Sequence, residues 1–122
     1  MAKTILVVDD SASLRQVVSI ALKGAGYDVI EACDGKDALT KLNGQKIHLI
    51  ISDVNMPNMD GITFVTEAKK LAEYKFTPVI MLTTEAGEDK KQAGQAAGAK
   101  AWVVKPFQPA QMLTAVSKLV LP

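Results

Sequence analysis

The sequence has one cysteine, Cys33, so no internal disulfide can form, and that sparing usage suits a reducing compartment. It has no apolar run approaching the ~20 residues that span a bilayer. Its start, "MAKTILVVDD", reaches charge too soon for a secretion signal. A cytoplasmic protein is the expectation, without membrane insertion. Charge of one sign is also missing: the net charge is +1 and no basic run exceeds a Lys-Lys pair, which argues against nucleic acid as a partner. No repeat, linker or low-complexity segment interrupts the chain. With 122 residues, 48% of them hydrophobic and 22% charged, it reads as one ordinary globular domain, 1–122. Only Pro122 follows the last helical pattern, so no output domain is expected.

What is there is a regular alternation. Short apolar runs occur at 5–8, 47–51, 79–82 and 101–104, with a weaker alternating run at 27–32. Runs apolar on every side read as parallel strands covered on both faces. Between them lie helical stripes. Leu14, Val17, Val18, Ala21 and Leu22 make the first, with Ser11 or Ser13 as N-cap and Gly24 or Gly26 at its end. A short second helix covers 37–42, a third joins Ile62, Val65, Ala68, Leu71 and Ala72, and the last follows Pro109. The segment "GEDKKQAGQAAGAK" predicts a further helix with only alanines for an apolar face and Gly94 in its middle, hence weakly packed. Strand–helix alternation of this length predicts an α/β fold, a flavodoxin-like doubly wound parallel sheet of five strands in the order 2-1-3-4-5, with five helices.

In such a sheet, function collects beyond the carboxyl ends of the strands. The first predicted strand ends in Asp9-Asp10, the third in Asp53, the fourth in Thr83-Thr84-Glu85 and the fifth in Lys105-Pro106. Three carboxylates at one edge repel unless something neutralises them. Oxygen ligands alone suit Mg²⁺, and with no histidine or cysteine at these ends zinc and copper do not fit. A carboxylate beside a hard cation, a lysine and a hydroxyl can accept a phosphoryl group as an acyl phosphate. The paired acids read as the metal seat and the solitary Asp53 as the nucleophile.

Duller roles exist for each residue. Asp9-Asp10 could cap the first helix. Asp53 could open the turn towards Pro57 and Gly61, Thr83 could satisfy a loop amide, and Lys105 could be solvated. Trp102 could be plain core, Met56 and Met59 could fold over their loop, and His48 suits a surface or strand-edge position. "DVNMPNMDG" fails as a calcium loop, because Pro57 stands where a ligand is needed and Asn58 where glycine belongs. The convergence of the strand-end residues outweighs their separate dull readings.

Four stretches, "VVDD", "SDVNMPNMDG", "MLTTE" and "VVKPF", occur in order, each at a predicted strand end. With them the chain resembles the receiver domain of bacterial two-component response regulators, and among these the single-domain CheY-like chemotaxis proteins. The resemblance implies phosphorylation at Asp53. It implies Mg²⁺ held by Asp9, Asp10, Asp53 and the backbone carbonyl of Asn55. Thr83 resembles the switch hydroxyl, Lys105 the lysine that pairs with the phosphoryl group, and Trp102 the switch aromatic. Lys105-Pro106 resembles a peptide that is cis in the family. Asn55 and Glu85 match positions that tune phosphate loss. Trp102 departs from the usual Tyr or Phe, and Thr84 from the usual small residue. The partners implied are a CheA-like histidine kinase as phosphodonor and a flagellar motor switch protein or another chemosensory protein downstream, with the chain itself a monomer. No enzyme is implied beyond self-phosphorylation and self-dephosphorylation. A phosphate sink or relay shuttle is the alternative. A Mg²⁺-dependent phosphohydrolase fits less well, since the adjacent acids on the first strand do not make the DxD of haloacid dehalogenases.

Overall fold

β1 (Thr4–Val8) lies between β2 (Asp28–Ala32) and β3 (Leu49–Asp53), and pairs parallel to both. β4 (Val79–Thr83) follows β3, and β5 (Ala101–Val104) forms the far edge, so the order is β2-β1-β3-β4-β5, as the alternation predicts. The computed structural model describes residues 3–54, 56, 58–83, 98–104 and 108–120.

β3 and β4 are buried at all five positions, and β1 at four of five. That is why these strands read as unbroken apolar runs. Alternate side chains feed two cores. Leu6, Val8, Ile50, Val79 and Met81 point to one face, where Ala38 of α2 (Gly35–Lys41) and Phe64, Val65 and Ala68 of α3 (Gly61–Lys69) cover them. Ile5, Val7, Leu49, Ile51, Ile80 and Leu82 point to the other, against α1 (Ala12–Gly24) and α4 (Pro109–Leu119). Four α-helices thus stand among the described residues. The expected alanine-rich helix lies largely in 84–97, outside them. No described helix is long and apolar enough to cross a membrane.

Local chemistry sets the helix ends. Ser11, not Ser13, caps α1 by accepting the Leu14 amide at 3.3 Å. Gly26, at φ +96°, takes the left-handed turn after it, with its amide on the Lys23 carbonyl at 3.0 Å. Asp34 caps α2 and Asp60 caps α3. Two boundaries differ from the apolar pattern. β3 begins at Leu49 rather than 47, and runs two residues further to include Ser52 and Asp53. α3 stops at Lys69, and Ala72–Tyr74 form a separate 3₁₀ turn. Tyr74 drives that break: its ring is buried, and its hydroxyl donates to the Gln45 carbonyl at 2.8 Å while accepting the Gly44 amide at 3.0 Å.

Candidate functional site

The carboxyl ends of β1, β3 and β4 are neighbours in the sheet, so Asp9, Asp10, Asp53 and Thr83 come to one edge. One carboxylate oxygen from each of Asp9, Asp10 and Asp53 lies within 4.8 Å of the others. Asp9 is 1% exposed and Asp53 6%, whereas Asp10 faces solvent. Two acids sunk at a strand edge beside a third are costly as an isolated set. All three offer hard oxygen donors, converging closely enough for one small cation with room for water. The donor set fits Mg²⁺. Among the described residues no other group of three potential ligands gathers.

Main-chain geometry fixes each acid. Asp9 accepts the Ser11 amide on Oδ1 at 2.9 Å, and its own amide donates to the Ala32 carbonyl at 3.1 Å. Since Ser11 supplies the cap of α1, the helix-cap reading of the acidic pair falls. Asp53 ends β3 with its backbone still in the ladder, and the next amide, Val54, donates to the Leu82 carbonyl at 2.9 Å. Gly61 then packs on the Asp53 carbonyl so closely that no side chain could stand there. Thr83 is fully buried at the end of β4.

Trp102 is half-buried on β5, packed with the core cluster that includes Met81, and its buried indole N–H has no hydrogen-bond partner among the described residues. A cleft of about 500 Å³ opens beside it, between β5 and α4, lined by Lys100, Gln111, Ala115 and Leu119 among others. Met56 and Met59 pack against the core, as a loop folded on itself requires. Asn55, Thr84, Glu85, Lys105 and Pro106 lie outside the described residues.

Two residues near the site were given no role there from the sequence. Arg15 donates from Nη1 to the Asp9 carbonyl at 2.6 Å and from Nε to Glu31 Oε1 at 3.0 Å. Asn58 sits at φ +67° and donates to Asp34 Oδ2 at 2.8 Å. The available signals were an arginine one helical turn past the acids and an Asn in a Pro/Gly-rich loop, both too common to act on. His48 lies at the opposite end of the sheet, half-buried, with Nδ1 accepting the Thr4 amide at 3.0 Å.

Residues 5–117 match the response regulator receiver domain. Protein PilG of Pseudomonas aeruginosa is 37% identical over 112 residues, 92% of this chain and 83% of PilG. Against two longer curated relatives the chain spans only 49% and 44% of their length. The structure of the chemotaxis protein CheY4 of Vibrio cholerae superposes with a TM-score of 0.94 at 48% identity, covering 98% of this chain and 99% of that one. The receiver domain of the sensor histidine kinase PA1611 from P. aeruginosa, solved with magnesium in its active-site cleft, gives a TM-score of 0.90 at 25% identity, with 98% of each chain covered. The acidic edge, the sheet order and these likenesses agree: this chain belongs to the response regulator receiver domain family.

Proposed function

We propose that the chain is a phosphorylation-activated signalling switch of a two-component system. It takes a phosphoryl group from a histidine kinase onto Asp53 and signals through protein contacts. The observation that carries this reading is the gathering of Asp9, Asp10 and Asp53 oxygens within 4.8 Å at the carboxyl edge of the sheet. Bound there, Mg²⁺ would neutralise charge on the transferring phosphoryl oxygens; the magnesium in the PA1611 cleft supports that assignment.

The chain's own residues have distinct tasks. Asp9, Asp10, Asp53 and the Asn55 backbone carbonyl would hold the metal. An oxygen of Asp53 forms the new P–O bond while the donor's P–N bond breaks, its electron pair going to the donor imidazole. Gly61 packs on the Asp53 backbone carbonyl and so fixes the main chain from which that carboxylate extends. Lys105 pairs with a phosphoryl oxygen, and Thr83 donates its hydroxyl to another. The chain turns over no separate substrate; it gains and loses its own phosphate, at a rate set by Asn55, Glu85 and Thr84.

Thr83 pairs with Val104 across the β4–β5 ladder, and Trp102 stands two residues before it. A shift of Thr83 towards phosphate therefore bears on β5 directly. Trp102 is the aromatic on that strand, and its buried N–H has no partner among the described residues. The face that carries β5 and α4 is the output face, and phosphorylation biases its two pre-existing states. The likeness to CheY4 and PilG favours a CheA-like kinase as donor. The receiver on the far side is a chemosensory or motor switch protein. In the sink or shuttle reading the same chemistry runs without an output contact.

The test is a mass measurement after incubation with acetyl phosphate and Mg²⁺. One phosphoryl adduct should form on the parent and none on Asp53→Asn. An adduct of equal yield on Asp53→Asn would overturn the assignment. Turnover of many equivalents of a phosphate ester would favour the hydrolase. Binding to a switch-protein peptide that ignores phosphorylation would leave the sink reading.

A further inference from the structure

The junction between β2 and α2 carries no metal ligand and no phosphoacceptor, yet it touches both halves of the site. On one side, the Ala32 carbonyl holds the Asp9 amide. On the other, Asp34 holds the loop that follows Asp53. Its two carboxylate oxygens are divided between two tasks: Oδ1 caps α2 through the Asp37 amide at 2.8 Å, and Oδ2 accepts Asn58 Nδ2 at 2.8 Å. Asp37 in turn accepts the Cys33 amide on Oδ2 at 3.0 Å, so the junction backbone is braced from both directions. Next to Asp34, Gly35 lets Met59 approach: a Cβ at Gly35 would lie 2.8–2.9 Å from Met59 Cγ, Cβ and O.

The loop needs such a brace. Asn58 is the one described residue other than glycine with positive φ, at +67°. Asn tolerates that region better than most residues but still at a cost glycine avoids. A charge-assisted hydrogen bond from its side chain to Asp34 offsets the cost. The Asp34 carboxyl is held below the usual carboxylate range by the Asp37 amide first and Asn58 second, so it stays a double acceptor at neutral pH. The loop then closes onto the acid: the Gly61 amide donates to the Val54 carbonyl at 2.8 Å, and Gly61 abuts Asp53.

We propose that Asp34 and Asn58 form a latch that positions the loop between β3 and α3 against the β2–α2 junction, whose Ala32 carbonyl holds Asp9, and thereby sets the Mg²⁺ affinity of the acidic edge. Neither residue touches the ion; both are positioning residues. The proposal rests on the metal reading given under Proposed function.

The test is a double-mutant cycle read by Mg²⁺ calorimetry and by amide hydrogen exchange at Val54 and Gly61. Asp34→Ser keeps the helix cap, because Ser caps as well as Asp, but leaves no second oxygen for Asn58. Asn58→Gly keeps the backbone free to stay at positive φ and removes only the donor, so it guards against a variant that fails to fold. Each should weaken Mg²⁺ binding about tenfold, the low end of the range for groups that orient ligands without touching the metal. Each should also speed exchange at Val54 and Gly61. The double variant should be no more than about twofold weaker than the weaker single, because one interaction is removed twice. Variants that bind Mg²⁺ like the parent, or single effects that multiply in the double variant, would overturn the latch. A parent that shows no Mg²⁺ binding would overturn the metal reading, and with it the latch's effect on affinity, whereas unchanged exchange in Asp34→Ser would refute the latch alone.

Discussion

Gly61 is the residue whose size matters most to Asp53. It opens α3 directly behind Asp53, and any Cβ there would be forced onto the Asp53 carbonyl and to 3.1 Å from Met81 Cε. The carbonyl is backbone and cannot swing aside. Gly61→Ala should therefore cost about 1–3 kcal/mol in urea unfolding, the range for forced overpacking, and should slow phosphorylation from acetyl phosphate. If both stability and rate stayed at parental values, the wedge would not be what holds Asp53. The acids themselves were legible from the sequence, because strand ends are the one place where a charged pair can follow four aliphatic residues without being buried whole. Even so, the sequence did not separate Asp9 from Asp10. Asp9 turns inward onto the Ser11 amide while Asp10 faces water. The parts played by Gly61, Arg15 and Asp34 were not legible at all. Each depends on what another segment places beside it, and no local pattern encodes that.

At the scale of elements, the apolar periodicity located every described strand and helix but misjudged the end of α3 and both edges of β3. Ile47 is apolar and buried, so it reads as strand, yet it packs below the start of β3. Ser52 and Asp53 are polar, so they read as beyond its end, yet they remain in the ladder beside Met81 and Leu82. Cap residues did better, because capping is local. Ser11→Ala should cost about 1 kcal/mol of stability by removing the side-chain acceptor of the Leu14 amide; a loss near zero would mean that water caps α1 equally well. The pairing of β1 with β3 carries a pH dependence at its amino end. His48 donates its amide to the Thr4 carbonyl at 2.8 Å and accepts the Thr4 amide on Nδ1. Burial pushes the imidazole below the ordinary histidine range, and Lys3 and Lys46 add to the shift. The unfolded chain thus takes up the proton at higher pH than the folded one. The stability due to neutral His48 is complete above its unfolded pKa of about 6.5 and is lost as pH falls towards the lower, folded value. In His48→Asn, Oδ1 stands where Nδ1 did, keeping the acceptor without the titration. Urea melts at pH 7 and pH 5 should show a larger loss for the parent than for the variant. Equal losses would place the pH dependence elsewhere.

For the molecule as a whole, the sheet order could be read in advance because alternation and handedness leave few topologies, and the order alone brings β1, β3 and β4 together at one edge. The consequence is an energetic conflict between site and fold. Two aliphatic cores hold the sheet from both faces, while its carboxyl edge concentrates three acids whose mutual repulsion a bound cation would offset. A cation that binds the folded edge and not the dispersed acids of the unfolded chain stabilises the fold, so Mg²⁺ at ten times its dissociation constant should stabilise the protein by about 1.4 kcal/mol. For 122 residues that corresponds to a rise in Tm of about 5 °C. Asp10 is exposed, so its repulsion is screened but not abolished. Asp10→Asn should accordingly raise stability without Mg²⁺ by a few tenths to about 1 kcal/mol, and should lose most of the Mg²⁺-induced rise. The two effects have opposite signs, and thermal melts of both proteins with EDTA and with Mg²⁺ separate them. A variant less stable than the parent in EDTA would mean that Asp10 contributes to the fold itself. A variant with an undiminished Mg²⁺ response would mean that the metal seat lies elsewhere. If both signs hold, the acidic edge is a place where stability has been given up for metal binding, and Asp10 is where that exchange can be measured.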